Sequence, residues 1–404
     1  MIREVSGRGT QGIIRHGLTP GYTFSHEKKI VPINAMQNLQ DPELLQREDF
    51  SLLYVPSSVS WENAQDALHT LADLPGMKLC LAPGRRISFP DFQRVFPHGS
   101  LCMDGSGEGS TCIEGKHANI DHHDEGDDVA TCQKVFHMDE QGKLASFQAH
   151  DGSYECVANV NHWDPDSLLA IVVLMLKNEA ATPEQHLLLQ KLVNLTGAMD
   201  MAAGACVLED CDAQELKAIF GPLMRARHEH GWMLERLTVE QMCDILEKSI
   251  GGVRLYVNGF PVKEQLDKEF EITRLGDGWA MIREVGDDAR VGIAQASDML
   301  SIGGFVSYVG THPQGRHRYT MINLKGRPAP FDMEKMQKHL NILEAASGDH
   351  LLLPIDQQYE MLKQQGASSN VWGGTPVCLA SHLVGSNFEE ADMAARIAFA
   401  QKLT

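Results

Sequence analysis

The run from Lys116 to Asp128 places three imidazoles and five carboxylates within thirteen residues. Like charges at this density repel one another, and desolvating them is costly. If the segment is even partly buried, a cation should sit among them. Imidazole favours Zn, Mn, Fe or Ni, and carboxylate favours Mn or Mg. Asp121, His122 and His123 directly follow Ile120, which brings the chain in from what reads as a strand. Strand ends are where open α/β sheets place their ligands. Asp124 to Asp128 reads instead as a solvated acidic loop.

A second signal runs from Asn159 to Ser167. A strand ends, Asp164-Pro165-Asp166 turns the chain, and an apolar helix begins. Both carboxylates lie where a helix dipole stabilises negative charge. Capping needs only one of them, and His162 stands beside them. A third signal is Asp200, alone among Gly197, Ala198, Met199 and Met201. Such an aspartate is costly to leave unpaired; it is equally a ligand or a helix cap. Asp104, in Met103-Asp104-Gly105, is a weaker case of the same kind.

The C-terminal half offers groups for an anion. Thr311 to Tyr319 is a basic patch in an acidic chain. Arg316 and Arg318 alternate as on a strand and so share a face, with His317 between them. They could hold phosphate bidentately; a solvated hairpin tip is the plain alternative. Gly373 and Gly374, between Trp372 and Thr375, could let backbone amides approach a phosphate, although such a pair is ordinarily a turn. There is no P-loop, no GxGxxG and no GxSxG.

These residues need a scaffold. Phe50–Pro56 reads as a buried strand, Trp61–Leu74 as a helix capped by Ser60, and Met77–Ala82 as a second strand ended by Pro83-Gly84. This β-α-β rhythm predicts a parallel sheet. Leu101–Gly109 is glycine-rich and polar, and Ser110–Ile113 is a short strand. Val129–His137 starts a helix, and Phe147–His150 with Tyr154–Val160 suggests a hairpin or adjacent strands. Asp164–Lys177 is a strongly apolar helix. Pro183–Leu195, Gln214–Arg227 and Val239–Ser249 are amphipathic helices. After Gly251-Gly252 the segments Phe270–Leu275, Trp279–Val285, Arg290–Ala294, Phe305–Val309 and Arg318–Leu324 are β-like. Met333–Ala346, Gln357–Gln365 and Glu389–Lys402 are helical. The expected fold class is α/β. A parallel-sheet metal-binding domain would span residues 1–250, and a smaller α+β substrate-binding domain 251–404.

Bulk properties narrow the function. The net charge of −19 over 404 residues repels a phosphate backbone, so an extended nucleic-acid groove is not expected. Leu168–Leu176 is the longest apolar run and falls short of the roughly 20 residues a membrane span needs. Met1 to Gly7 has no apolar signal core. Nine cysteines without a CxxC pair read as reduced thiols, hence a cytoplasmic location. A homodimer is compatible with all of this.

Taken together, Asp121-His122-His123, Asn161-His162-Trp163-Asp164-Pro165-Asp166-Ser167 and Asp200 resemble the DHH phosphoesterases. These are manganese-dependent hydrolases of phosphodiester and pyrophosphate bonds, with an α/β metal domain and a smaller C-terminal domain that closes over substrate. In that family the Asp-x-Asp pair precedes Asp-His-His; here it follows. The family's Gly-Gly-Gly-His motif is represented only by Gly303-Gly304 and Gly373-Gly374. Residues 100–390 are also similar to a group of uncharacterised bacterial proteins with an Asp-His-His loop, an aspartate-rich turn and a late Trp-Gly-Gly-Ser segment. The resemblance implies one or two divalent ions, Mn²⁺ foremost with Zn²⁺ or Mg²⁺ as alternatives, held by Asp121, His122, Asp164, Asp166 and Asp200. His123 would be a ligand or contact a phosphoryl oxygen, and His162 would act as a supporting partner or acid. The substrate would be a small phosphorylated or nucleotide-like molecule. A metal-dependent hydrolase of carbon–nitrogen bonds and a non-catalytic metal- or ligand-binding protein are the alternatives.

Overall fold

A computed structural model describes residues 3–4 and 41–404, except 124–128, 178, 180–181, 231–236, 277, 312–314, 376–377 and 382–384. The expected acidic loop at 124–128, the leader reading at the N-terminus and the 312–314 part of the basic patch thus lie outside the described residues, Arg3 and Glu4 excepted. The first part of the chain runs β1 (Arg3–Glu4), β2 (Glu43–Gln46), β3 (Phe50–Tyr54), α1 (Trp61–Ala72), β4 (Met77–Leu81), β5 (Ile87–Ser88), α2 (Phe89–Val95) and β6 (Ser100–Met103). There follow β7 (Gly107–Glu108), β8 (Cys112–Glu114), β9 (His117–Ile120), α3 (Thr131–Glu140), β10 (Val157–Val160), α4 (Pro165–Lys177), α5 (Pro183–Asp200), α6 (Asp210–His230) and α7 (Val239–Val257). The remainder is β11 (Phe270–Gly276), β12 (Trp279–Glu284), α8 (Ala289–Leu300), β13 (Gly304–Thr311), β14 (His317–Asn323), α9 (Met333–Leu343), α10 (Ile355–Gln364), β15 (Gly373–Gly374), β16 (Cys378–Ala380) and α11 (Glu390–Gln401).

The fold is mixed α/β. In the first sheet β3, β4, β10, β6 and β9 lie side by side and parallel, with β2 and β8 antiparallel at the edges. The pleat sends Phe50, Leu52, Leu79, Leu81, Leu101 and Met103 to one core, shared with α4. Leu53, Cys80 and Cys102 go to the other, with residues of α1 and α2. Burial on both faces explains why these strands read as continuous apolar runs rather than as alternations. Helix α4 is buried from Asp166 through Leu176, as expected of a helix apolar all round. Strand β10 comes last of the parallel strands along the chain but is inserted between β4 and β6. The turn that leaves β10 is therefore a direct neighbour of the turn that leaves β6.

The second sheet has the order β1-β11-β12-β13-β14-β16-β15 and is mixed in direction. One face packs on α9, α10 and α11, the other on α8. Arg290 Nη1 donates to Ala203 O at 2.9 Å and Gln295 Nε2 to Leu208 O at 2.6 Å, tying α8 to the segment after α5. Among the described residues no helix is long and apolar enough to cross a membrane.

Several expectations are corrected. Arg290–Ala294 lies in helix α8; Ala289, Ile293, Ala296 and Leu300 form its buried stripe, a 3.6-residue period that a five-residue window hides. Gly251 and Gly252 do not end a helix but sit inside α7. A Cβ on Gly252 would lie 3.2 Å from Ile219 Cα, so this glycine serves close packing of α7 on α6. Helix α7 runs on to Val257, and β1 joins the second sheet from the other end of the chain. Ala145–Phe147 is a 3₁₀ turn, and only a single bridge, Gln148 to Tyr154, stands where a hairpin was expected.

Candidate metal centre

Three turns at the C-terminal ends of parallel strands meet here. After β6, Asp104 adopts φ 51°, rare outside glycine, and Gly105 follows at φ 72°. A side chain on Gly105 would come within 3.3 Å of the His123 ring. Asn161 Nδ2 donates to Gly105 O at 2.9 Å, and Ser106 Oγ donates to Asn159 O at 2.8 Å. These bonds fasten the β6 turn to β10. After β9, Asp121 Oδ1 accepts from the backbone N–H groups of Gly105 (3.0 Å), His122 (2.8 Å) and His123 (3.1 Å). It also lies 2.6 Å from His123 Nδ1. Asp121 thus joins the β9 turn to the β6 turn.

After β10, Asp164 and Ser167 cap α4 reciprocally. Ser167 N donates to Asp164 Oδ1 at 2.8 Å, and Asp164 N to Ser167 Oγ at 3.0 Å. Asp166 reaches across to α3, where Thr131 N and Cys132 N donate to its two oxygens at 2.9 and 2.8 Å. A carboxylate is favoured at that helix N-terminus. Asp200 is the last residue of α5.

Three groups of side chains here could each hold a metal ion: Asp104/His162/Asp164, His122/Asp166/Asp200 and Asp104/His122/His123. The first two share no residue; the third connects them. His122 Nε2 lies 3.2 Å from Asp104 Oδ1, 3.3 Å from Asp200 Oδ2 and 3.7 Å from Asp166 Oδ2. His162 Nε2 lies 3.2 Å from Asp104 Oδ2 and 3.0 Å from Asp164 Oδ2. His123 Nδ1 lies 3.8 Å from Asp104 Oδ1. Among the residues expected from sequence, His122, Asp164, Asp166, Asp200, His123 and His162 come together. Asp121 stands beside these groups, its Oδ1 engaged by the turn. Asp104, underrated from sequence, belongs to two of the three groups. Its signal was an apolar run, Leu101-Cys102-Met103, closing on Asp-Gly, as Ile120 closes on Asp121.

The donors fit a divalent cation. They are carboxylate oxygens and imidazole nitrogens, a set suited to borderline ions. Asp104 Oδ2 and Asp121 Oδ2 are buried without a hydrogen bond. Burial opposes charge throughout, and the counter-charges decide the outcome. Against burial, Asp104, Asp200 and Asp166 hold the His122 imidazolium up to about 10. Asp164 and Asp104 do the same for His162, also to about 10. His162 and His122 in turn keep Asp104 well below the usual carboxylate range despite its burial. Burial, Asp104 and Asp164 push Asp166 up to about 6. Burial, Asp166 and Asp164 push Asp200 well above its ordinary value. Metal bound to these imidazoles would displace their protons. Two arginines also reach it. Arg227, 2% exposed, has Nη1 3.9 Å from Asp164 Oδ2, and Arg86, 49% exposed, has Nη2 3.8 Å from Asp121 Oδ2.

None of Arg316, His317, Arg318, Gly373 and Gly374 belongs to these groups. Arg316 precedes β14 and packs under Gly385. His317 lies with Tyr308, Arg283, Glu389 and Glu390 around a cleft of about 350 Å³. Arg318 alternates to the opposite face of β14, the face of Thr320, whose hydroxyl accepts from Arg290 Nη2 at 3.0 Å. Gly373 and Gly374 form an exposed edge strand on β16. A Cβ on Gly374 would lie 2.1 Å from Cys378 O, so close strand approach requires this glycine. No family model and no curated protein matches the chain.

Proposed function

We propose that the protein is a divalent-metal-dependent phosphoesterase, Mn²⁺ being the favoured ion, that hydrolyses a small phosphorylated or nucleotide-like substrate. The observation that carries this reading is the pair of non-overlapping Asp/His groups joined through the 3.2 Å contact of His122 with Asp104. Asp104, His162 and Asp164 would hold one ion; His122, Asp166 and Asp200 would hold a second. Such ions supply a Lewis acid for a phosphoryl oxygen and a water acidified towards neutral pH. The first sheet would then be the metal-binding domain and the second the substrate-binding one. The central position of β10 brings Asp164 and Asp166 beside the other turns although they follow Asp121-His122-His123 along the chain.

The chain's own groups have distinct tasks under this reading. Asn161 Oδ1, 2.6 Å from His162 Nδ1, orients that ring so that Nε2 faces Asp104 and Asp164; such a partner fixes the tautomer of a ligating histidine. Asp121 holds His123 Nδ1 at 2.6 Å and so fixes that ring, whose side chain is 36% exposed. Arg227 supplies a buried positive charge against Asp164. The nine free cysteines support a reducing compartment, the cytoplasm.

The test combines elemental analysis with hydrolysis of bis-p-nitrophenyl phosphate in the presence of added Mn²⁺. The expected result is bound divalent metal and Mn²⁺-stimulated release of nitrophenol that chelator abolishes. Metal-loaded protein inert towards phosphodiesters and phosphoanhydrides would overturn the proposal.

A further inference from the structure

Two consecutive arginines follow β4, and the fold treats them differently. The guanidinium of Arg85 stacks on Trp61, 3.9 Å from the ring centroid, and donates to Val59 O at 2.7 Å. Its role is internal. Arg86 turns towards the metal centre. Its Nη2 donates to Gly107 O at 3.1 Å and lies 3.8 Å from Asp121 Oδ2, a buried oxygen without a hydrogen bond. Its side chain nevertheless remains 49% exposed.

The loop that carries Arg86 is held on both sides by the turns of the centre. Gly84 N donates to Asn161 O at 2.9 Å, next to His162. Ile87 N donates to Ser106 O at 3.0 Å, in the turn of Asp104, and β5 pairs with β7 just beyond. Arg86 is thus positioned by the backbone that positions the metal-binding side chains. Asp121 links it to His123, the most exposed member of the three groups. The other arginine of the centre, Arg227, is almost fully buried.

We propose that Arg86 anchors the substrate by binding non-bridging phosphoryl oxygens as the phosphate enters beside His123. The inference rests on the phosphoesterase reading and adds a specificity-determining residue and a requirement for an anionic substrate. A planar guanidinium suits this task, since it offers paired N–H groups to two oxygens, which an ammonium does not.

Calorimetric titration of inorganic phosphate into Mn²⁺-loaded wild type, R86Q and R86K, with elemental analysis of each, tests it. Metal content is expected to be equal in all three. Phosphate affinity should fall about 10- to 100-fold in R86Q, the range of a charge-assisted contact, and less in R86K. The KM for bis-p-nitrophenyl phosphate should rise in parallel, with a smaller change in kcat. Wild-type phosphate affinity in fully metallated R86Q would overturn the role of Arg86 and leave the phosphoesterase reading standing. Loss of metal in both variants would also overturn it, making Arg86 a structural support of Asp121. A metal-loaded wild type that binds no phosphate would overturn both.

Discussion

Two regions of this molecule bury charge, and they do so in opposite ways. Under the second sheet, Arg396 is 2% and Glu344 is 5% exposed. Arg396 Nη2 donates to Gln358 Oε1 at 3.0 Å, its Nε lies 3.4 Å from Asp392, and its guanidinium stacks on Phe388 at 3.5 Å. Trp372 Nε1 donates to Glu344 Oε1 at 3.3 Å. There, a buried cation is paired with the half-exposed Asp392, and a buried anion accepts from a tryptophan. At the ends of β6, β9 and β10 carboxylates and imidazoles gather instead. Asp104, Asp121, Asp164, Asp166 and Asp200 meet, with Arg227 the one deeply buried guanidinium paired to them among the described ion pairs. The first arrangement is an internal support; the second is a set of oxygen and nitrogen donors suited to a divalent cation.

The comparison breaks most visibly at Asp104. Asp104→Asn should abolish divalent-metal binding in elemental analysis, and with it any Mn²⁺-dependent hydrolysis, while circular dichroism stays native. Retained metal would mean that the two-group geometry is not a binding site. Arg396→Met should do the reverse. It should cost about 2 kcal/mol in urea unfolding, because Gln358 loses a charge-assisted hydrogen bond, and leave metal content unchanged.

The pH response of chelator-treated protein sharpens the contrast. Groups with a raised folded pKa stabilise below their unfolded value and lose that contribution as pH rises through the folded one. Asp166 should therefore withdraw stability between about 4 and about 6, and His122 and His162 between about 6.5 and about 10. Asp104 and Asp164, both depressed, withdraw it instead as pH falls below about 4. The melting temperature of the metal-free protein should peak in mild acid and decline towards alkaline pH. Added Mn²⁺ should flatten that decline, because ligands deprotonate on binding. A flat metal-free profile from pH 5 to 9 would contradict these shifts. The smallest effect is expected for Asp200→Asn. At pH 8 without metal it should raise the melting temperature slightly, by relieving burial of charge and repulsion with Asp166 and Asp164. With metal present it should lower Mn²⁺ affinity.

Part of this was legible in residue order. Burial on both faces makes β3 and β4 apolar runs, and Thr182 and Ser60 cap helices by local hydrogen bonds. Asp164-Pro165-Asp166 announced a helix N-terminus with one carboxylate more than capping α4 needs, and the spare one, Asp166, turns to α3. Arg290–Ala294 was misread because five residues cannot separate a strand from a helix whose stripe needs eleven. Gly252 was misread because close helix packing and a helix stop both select glycine.

The sequence by itself determined which residues could do chemistry: the imidazoles and carboxylates after Ile120 and Val160, and the surplus of negative charge. Only the tertiary structure decided which of them meet. It inserts β10 between β4 and β6, and so gathers side chains far apart along the chain into one centre. It made Asp121 Oδ1 a hub for backbone amides, placed Asp104 in two groups, and brought Arg86 and Arg227 to Asp121 and Asp164. The reason is physical: local pattern fixes periodicity and caps, whereas strand order in a parallel sheet is set by long-range pairing that no short window of residues contains.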